Sequence, residues 1–333
     1  MGPPGLSQGT RRDGRAVNAG GAPEPEWAGC GPIFPLQIHI GSMASPTKAH
    51  PTGAPAPEWA GHGPRRVAML LAYDGSLFHG WQVQDHCITV QAKLEEALRT
   101  VTQLPVKVYG SGRTDAGVHA LNQVAHCDLP RKVDLHELQR SLNALAAPGI
   151  AVKALVEVPP HFHARHSAIG KIYRYHIFNR AYPPVFARHH CWWIRAPLDA
   201  GAMGRAAAHF IGTHDFSAFR AKECAAATPV RTLHRIDFAE GEWADSTLRI
   251  EMEGSGFLQH MARIVSGTLA AVGRGRCAPE EIPNILASRE RSRAAMTAPG
   301  RGLHLVRVHY DEEAFPQLRM LNSGACEPDS GME

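Results

Sequence analysis

The stretch Gly110-Ser111-Gly112-Arg113-Thr114-Asp115-Ala116-Gly117-Val118-His119 puts a fixed cation and a carboxylate two residues apart in a glycine-rich segment. Three glycines in eight residues permit positive φ angles and a close approach of backbone to ligand. Such a loop invites a nucleotide-phosphate reading, yet neither the dinucleotide-binding glycine pattern nor the P-loop pattern fits, because the Lys-Ser/Thr pair is absent. Taken alone, Asp115 reads either as a turn residue bonding its own backbone or as a reactive carboxylate. A second candidate is His161-Phe162-His163-Ala164-Arg165-His166, since two histidines alternating on a strand point their imidazoles one way. No acidic residue completes a ligand set there, so the metal reading is set aside. Seven cysteines stand singly, with no CxxC pair, which argues against a disulfide framework or a cysteine-rich zinc site and suits a reduced, cytoplasmic protein.

The elements that must position these residues begin at Arg65. VAMLLAY (67–73) reads as a buried strand ending in the Asp74-Gly75 turn signal. Val90, Leu94, Ala97, Leu98 and Val101 recur at helical spacing behind Thr89, a helix N-cap. VKVYG (106–110) is the next strand, delivering the glycine-rich segment at its exit. Asp134 with Glu137 resembles a capping box, opening a helix striped by Leu135, Leu138, Leu142 and Leu145. Strands are expected at 151–158 and 171–179, where Tyr173 shares a face with Tyr175. A helix follows over 199–211, then paired strands at 230–238 and 246–253 across a turn around Gly241. Further helices are expected from Phe257 to about Val272 and near 280–288, and LHLVRVHY (303–310) supplies the last strand. On a helix begun at Phe257, positions 257, 261, 264, 265, 268 and 272 form one apolar arc, and Arg263 lies outside it. The mixture of helices and hairpin-connected strands predicts an α+β fold, with two similar α/β subdomains whose mainly antiparallel mixed sheets are flanked by helices.

GSGRTDAGVHA closely resembles the signature of the tRNA pseudouridine synthase A family. YDGSLFHGWQ (73–82), Thr89-Val90-Gln91, Phe162-His163-Ala164-Arg165, Tyr173-Arg174-Tyr175, the DFSAFR run of 215–220 and the FLQHMAR run of 257–263 follow in family order. The resemblance spans about 65–312. It implies isomerisation of uridine to pseudouridine in the tRNA anticodon stem-loop, at positions 38–40, with Asp115 as the nucleophile and no metal or other cofactor. A carboxylate working in a pocket needs a positive partner, because burial otherwise penalises its charge; the resemblance supplies Arg263. By the same resemblance Tyr173 packs against the target uracil, and Arg113 displaces the target nucleotide or fills the space it vacates. An arginine beside a catalytic acid could equally bind phosphate. The family also implies a homodimer with tRNA contacting both subunits, and an active-site cleft between the subdomains. One departure is Ala225-Ala226-Ala227-Thr228, where the family usually carries polar or basic side chains.

Across its 333 residues the chain is 44% hydrophobic and 20% charged, with formal net charge +4, a balance that permits nucleic-acid binding without demonstrating it. The longest apolar run, Val67–Tyr73, is too short to cross a bilayer, and no secretory signal is expected. The expected division is a Pro/Gly/Ala-rich disordered tail at 1–64, an N-terminal subdomain at 65–166 carrying the glycine-rich loop, a C-terminal subdomain at 167–312 and a loose tail at 313–333. GAPEPEWAGCGP (21–32) returns as GAPAPEWAGHGP (53–64), read as a local duplication in an unconstrained tail. Basic clusters at 274–276 and 289–293 are either solvated faces or phosphate contacts. The rival functions are an RNA-binding or folding module, which has no use for an acid facing phosphates, and a metal hydrolase resting on residues 161–166.

Overall fold

A computed structural model of the chain describes Gly2, residues 64–130, 133–240, 247–319 and 321. The duplicated segment, nearly all of the N-terminal tail and the turn around Gly241 lie outside the described residues. Strand β1 (Arg65–Tyr73) is buried on both faces along its middle, which is why its sequence is a continuous apolar run rather than an alternation. Helix α1 (Val90–Thr102) starts where Thr89 Oγ1 accepts the Ala92 amide. The strand expected over 106–110 pairs only at its end, as β2 (Tyr109–Gly110). Strand β3 (His119–Leu129) follows, then α2 (Leu135–Ala146), capped by Asp134 through the Glu137 amide. The leucine stripe of α2 is shorter than its spacing suggests: Leu138 and Leu142 are buried, whereas Leu145 faces outward at the far end. Strand β4 (Ile150–Val158) completes the first half.

The second half contains β5 (Ala168–Phe178), the short β6 (Trp192–Trp193), α3 (Ala200–Ala208), β7 (Gly212–Asp215), β8 (Val230–Glu240) and β9 (Thr247–Gly254). Helices α4 (Met261–Gly273) and α5 (Ile282–Ser288) precede β10 (Leu303–Tyr310). Among the described residues, ten strands join one sheet in the order β4-β1-β3-β10-β5-β9-β8-β7, with β2 on β3 and β6 on β5. Pairing is antiparallel except β3 with β10 and β5 with β6. The fold is therefore α+β, as expected, with a large mixed sheet flanked by helices. Helices α1 and α2 pack together beside the first half, and α3 and α4 beside the second.

The last strand in sequence is central in space. Leu305 of β10 pairs with Ala120 on one side and with Tyr173 on the other. The exit of the glycine-rich loop and the strand bearing Tyr173 are thus held two strand spacings apart, about 10 Å. Four histidines meet under this seam: the His119 and His304 rings stack at 4.5 Å and 13°, with His190 and His176 against them. Burial first, then the neighbouring histidines, keeps His119 and His304 below the usual histidine range, and burial, then Arg174 and Arg249, does the same for His176.

Candidate active site

The loop from Ser111 to Val118 is fixed before any side chain is considered. Its carbonyls at Ser111, Gly112, Thr114 and Asp115 accept from Lys171 Nζ (2.8 Å), Gln123 Nε2 (3.0 Å), the Trp81 amide (3.0 Å) and the Val118 amide (3.1 Å). Thr114 Oγ1 is 2.8 Å from the Tyr73 hydroxyl, and the Ser111 amide donates to the Val124 carbonyl at 2.7 Å. The glycines serve two different needs. Only Gly117 adopts positive φ (75°), whereas a Cβ at Gly110 would sit 2.6 Å from the Trp81 ring.

Asp115 contributes its carbonyl to the turn, but its side chain faces the opposite half of the molecule. Its Oδ2 accepts from Arg263 Nη1 at 2.8 Å, and His260 Nε2 lies 3.5 Å away. Arg263 is not on a helix begun at Phe257. Residues 257–260 run irregularly, His260 takes a left-handed φ of 64°, and α4 begins at Met261. That helix is buried nearly all round, with Arg263 among the few positions left partly open, so Arg263 does lie off the apolar face although the helix starts four residues later than expected. Arg263 is clamped on both sides: its Nε donates to the Ala298 carbonyl (2.8 Å), and the Ala298 amide donates to the Arg263 carbonyl (3.1 Å).

Tyr173 is buried at the base of the same cleft, with Phe257 packed edge-on at 4.9 Å. Burial above all, with the Tyr73 phenol and the Asp115 carboxylate nearby, holds its phenol protonated far above the ordinary tyrosine range. Its face of β5 also carries Tyr175, whose hydroxyl donates to the Pro299 carbonyl. Arg113 is exposed at the rim, with no ion pair among the described residues. The open cleft has a volume of about 1100 Å³ and is lined by all four of Asp115, Tyr173, Arg113 and Arg263. Cys224, Ala225 and Ala226, the segment that departs from the family pattern, form part of the facing wall. Sequence reasoning missed Lys171, Gln123 and Tyr73 as supports of the loop; Lys171 and Tyr73 stand out only as polar groups on expected strands, and Gln123 lies on β3, where no strand is expected.

The His161–His166 run is engaged within the protein. There His163 Nδ1 accepts the Arg165 and His166 amides, and its ring packs on His126. The described residues do bring three potential metal ligands together elsewhere, at His119, His190 and His304. Both His119 nitrogens are already engaged, Nδ1 by the Gly75 amide and Nε2 by the His189 carbonyl. Its ring stacks on His304 rather than converging with it on a point between them. The basic cluster at 289–293 is occupied by the protein itself. Arg291 donates to the Ala294 and Ala295 carbonyls and to Thr297, while Arg289 pairs with Asp215 and Arg293 with Glu281.

A family profile described as tRNA pseudouridine synthase matches residues 69–167 and 206–311, two segments that include the glycine-rich loop, Tyr173's sheet neighbours and α4. A tRNA pseudouridine synthase A from Geotalea uraniireducens is 44% identical over 247 residues, covering 74% of this chain and 100% of the relative. Proteins of the same name from Acetivibrio thermocellus (43%, covering 74% and 100%) and Bacillus subtilis (42%, covering 74% and 99%) are similarly close. With a glycine-rich loop that aims one carboxylate at one arginine across an open cleft, and with relatives matched along their whole length, the chain is an isomerase of the tRNA pseudouridine synthase family.

Proposed function

We propose that the chain converts uridine to pseudouridine in the tRNA anticodon stem-loop, at positions 38–40, with Asp115 as the nucleophile. The observation that carries this reading is the 2.8 Å pair between Asp115 and Arg263 at the base of a cleft open enough for an extruded nucleotide. A carboxylate can split a difficult bond exchange into two steps through a covalent intermediate. Here the N1–C1′ bond of the uridine breaks and the base rejoins through C5, whose proton is released to water. Arg263 holds the carboxylate in register, and Tyr173 offers its ring to the uracil. Base–aromatic stacking of this kind contributes about 1–3 kcal/mol. Arg113, free at the rim, displaces the target nucleotide or occupies its vacated place. In this reading the two subdomains, 65–166 and 167–312, each bring one member of the Asp115–Arg263 pair.

The test is release of the C5 proton from tRNA labelled at uridine. Asp115→Asn keeps the shape of the side chain and removes the nucleophile, so turnover should fall by at least about four orders of magnitude. Affinity for tRNA should hold, since loss of a negative charge does not weaken phosphate contact. Activity of the Asn variant above background would remove Asp115 from this role. The enzyme is further proposed to work in the cytoplasm as a homodimer that grips one tRNA with both subunits, because phosphate contacts dominate affinity and a dimer doubles the basic surface. Sedimentation at micromolar concentration should give twice the chain mass of 36.1 kDa, and a fully active monomer would rule the dimer out.

A further inference from the structure

Lys171 lies on β5 two residues before Tyr173 and on the same strand face. Its side chain runs beneath the glycine-rich loop, and Nζ donates to the Ser111 carbonyl at 2.8 Å. The loop crosses the ammonium so closely that a Cβ on Gly112 would come within 2.6 Å of Nζ. An ammonium has three N–H donors, and this one has a single acceptor and no carboxylate within ion-pair distance among the described residues. Its surroundings are short of negative charge. Arg113, Arg165, Lys171, Arg231 and Arg263 line the cleft against one carboxylate, Asp115, which Arg263 already engages. A partly buried cation without a counter-ion is unfavourable. Burial first, then Arg165, pushes the Lys171 amine down to about 8.

We infer that Lys171 and Arg165 form a subsite for an RNA phosphodiester next to the target nucleotide. The inference rests on the RNA-modifying reading above and adds a contact to it. The step from Lys171 to Tyr173 along one strand face is about 7 Å, so one nucleotide reaches both, through its backbone and through its base. The phosphate oxygens accept the N–H groups that the protein leaves open, while the third stays on the Ser111 carbonyl. Binding of substrate therefore tightens the same lysine that supports the Asp115 loop. Lys171 acts here as a positioning residue with a phosphate contact of its own.

The test is equilibrium binding of an unmodified tRNA transcript to the full chain over a range of KCl concentrations, alongside proton-release kinetics. Lys171→Gln keeps an N–H donor for the Ser111 carbonyl and removes the charge. Its affinity should fall about tenfold near 0.1 M salt, and the slope of log K against log salt should become shallower by about 0.7–0.9, one phosphate contact. Arg165→Gln, on an exposed side chain whose loss does not threaten folding, should reduce the slope similarly. If Lys171→Gln keeps the wild-type slope and affinity and loses only kcat, Lys171 merely tethers the loop and the subsite is wrong. An unchanged slope for Arg165→Gln overturns the paired subsite as well. A wild-type chain that shows the lysine-dependent slope but releases no C5 proton would instead sink the isomerisation reading and leave the subsite standing.

Discussion

On one wall of the cleft, residues 111–118, the Ser111, Gly112, Thr114 and Asp115 carbonyls are each held by a partner from a different element: β5, β3, the segment before α1, and the loop's own turn. The facing wall, residues 224–231 and 255–260, presents Ala225, Ala226 and Gly256, and its Arg231 donates back to the Thr228 and Val230 carbonyls of its own segment. It is joined to its surroundings mainly by backbone bonds, from the Ala221 amide to the Gln259 carbonyl and from the Ser255 amide to that of Thr232. The contrast suits the roles proposed above for each wall. A nucleophile misplaced by about 1 Å loses much of its advantage, so its loop is over-determined. A wall against which a large, flexible polyanion lies needs surface and charge rather than sub-ångström geometry.

Arg263 bridges the two walls, and removing it should produce the largest change after loss of Asp115 itself. Arg263→Gln should lower kcat by about 10²-fold, the scale of losing one preorganised charged partner. Single-turnover assays should show tRNA affinity nearly unchanged. Arg231→Gln, on the facing wall, should do the reverse, raising KM several-fold and leaving kcat alone. Equal effects on both parameters from both variants would erase the distinction between a chemical wall and a gripping wall.

Glycine substitutions probe the same difference in rigidity. A methyl at Gly110 meets the Trp81 indole at 2.6 Å, and the Trp81 amide holds the Thr114 carbonyl next to Asp115, so any shift of the ring passes to the loop. Gly110→Ala should cost about 1–3 kcal/mol in urea unfolding and reduce kcat as well. At Gly256 the nearest neighbour to an added Cβ is the Arg231 side chain at 3.8 Å, ordinary contact distance. Gly256→Ala should change stability by less than about 0.5 kcal/mol. A facing wall as intolerant as the loop would mean that it too is held rigid.

How much of this was legible follows the same divide. The loop announced itself because Gly, Arg and Asp at fixed spacing are chemistry-bearing residues, and the helix caps at Thr89 and Asp134 were readable because capping is local. Strand β3 was not read at all, although it carries the loop's exit. It is central in the sheet and buries His119, Gln123 and His126 along with its apolar residues, so neither alternation nor a clean apolar run marks it. The central place of β10 was equally hidden, since strand order depends on long-range pairing. The start of α4 was misplaced by four residues because Phe257 and Leu258 are apolar without being helical; they pack on the cleft floor ahead of a left-handed His260. Lys171 looked like a polar residue at a strand end until its partner, sixty residues away, was known.

The histidine seam gives the loop wall a weakness that the facing wall lacks. His176 is pushed down to about 4 by burial first and by Arg174 and Arg249 second, and His119, His190 and His304 are lowered in the same direction. A histidine with a depressed folded-state value binds fewer protons folded than unfolded, so its contribution is fully present above about 6.5 and fades as pH falls toward 4. The melting temperature should therefore drop by at least about 5 °C between pH 7 and pH 5, the response to a few kcal/mol in a chain of this size. His304→Asn should flatten that dependence, and a melting temperature independent of pH over the interval would deny the seam this role.

The smallest expected effect lies in the alanine segment of the facing wall. Ala225 is exposed and lines the cleft, where the family resemblance leads one to expect polar or basic side chains. Ala225→Lys adds one cation without touching the Asp115 loop or its supports. If the wall lies against the phosphate backbone, tRNA affinity should rise about two- to fivefold at low salt, and the salt slope should steepen by up to about 0.9. The gain should vanish above a few tenths molar KCl, where an exposed charge is screened within about 5 Å. The kcat should not move, because nothing in the loop has been displaced. A change in kcat with no change in slope would place Ala225 on the chemical side of the cleft, and no change in either would put the RNA elsewhere.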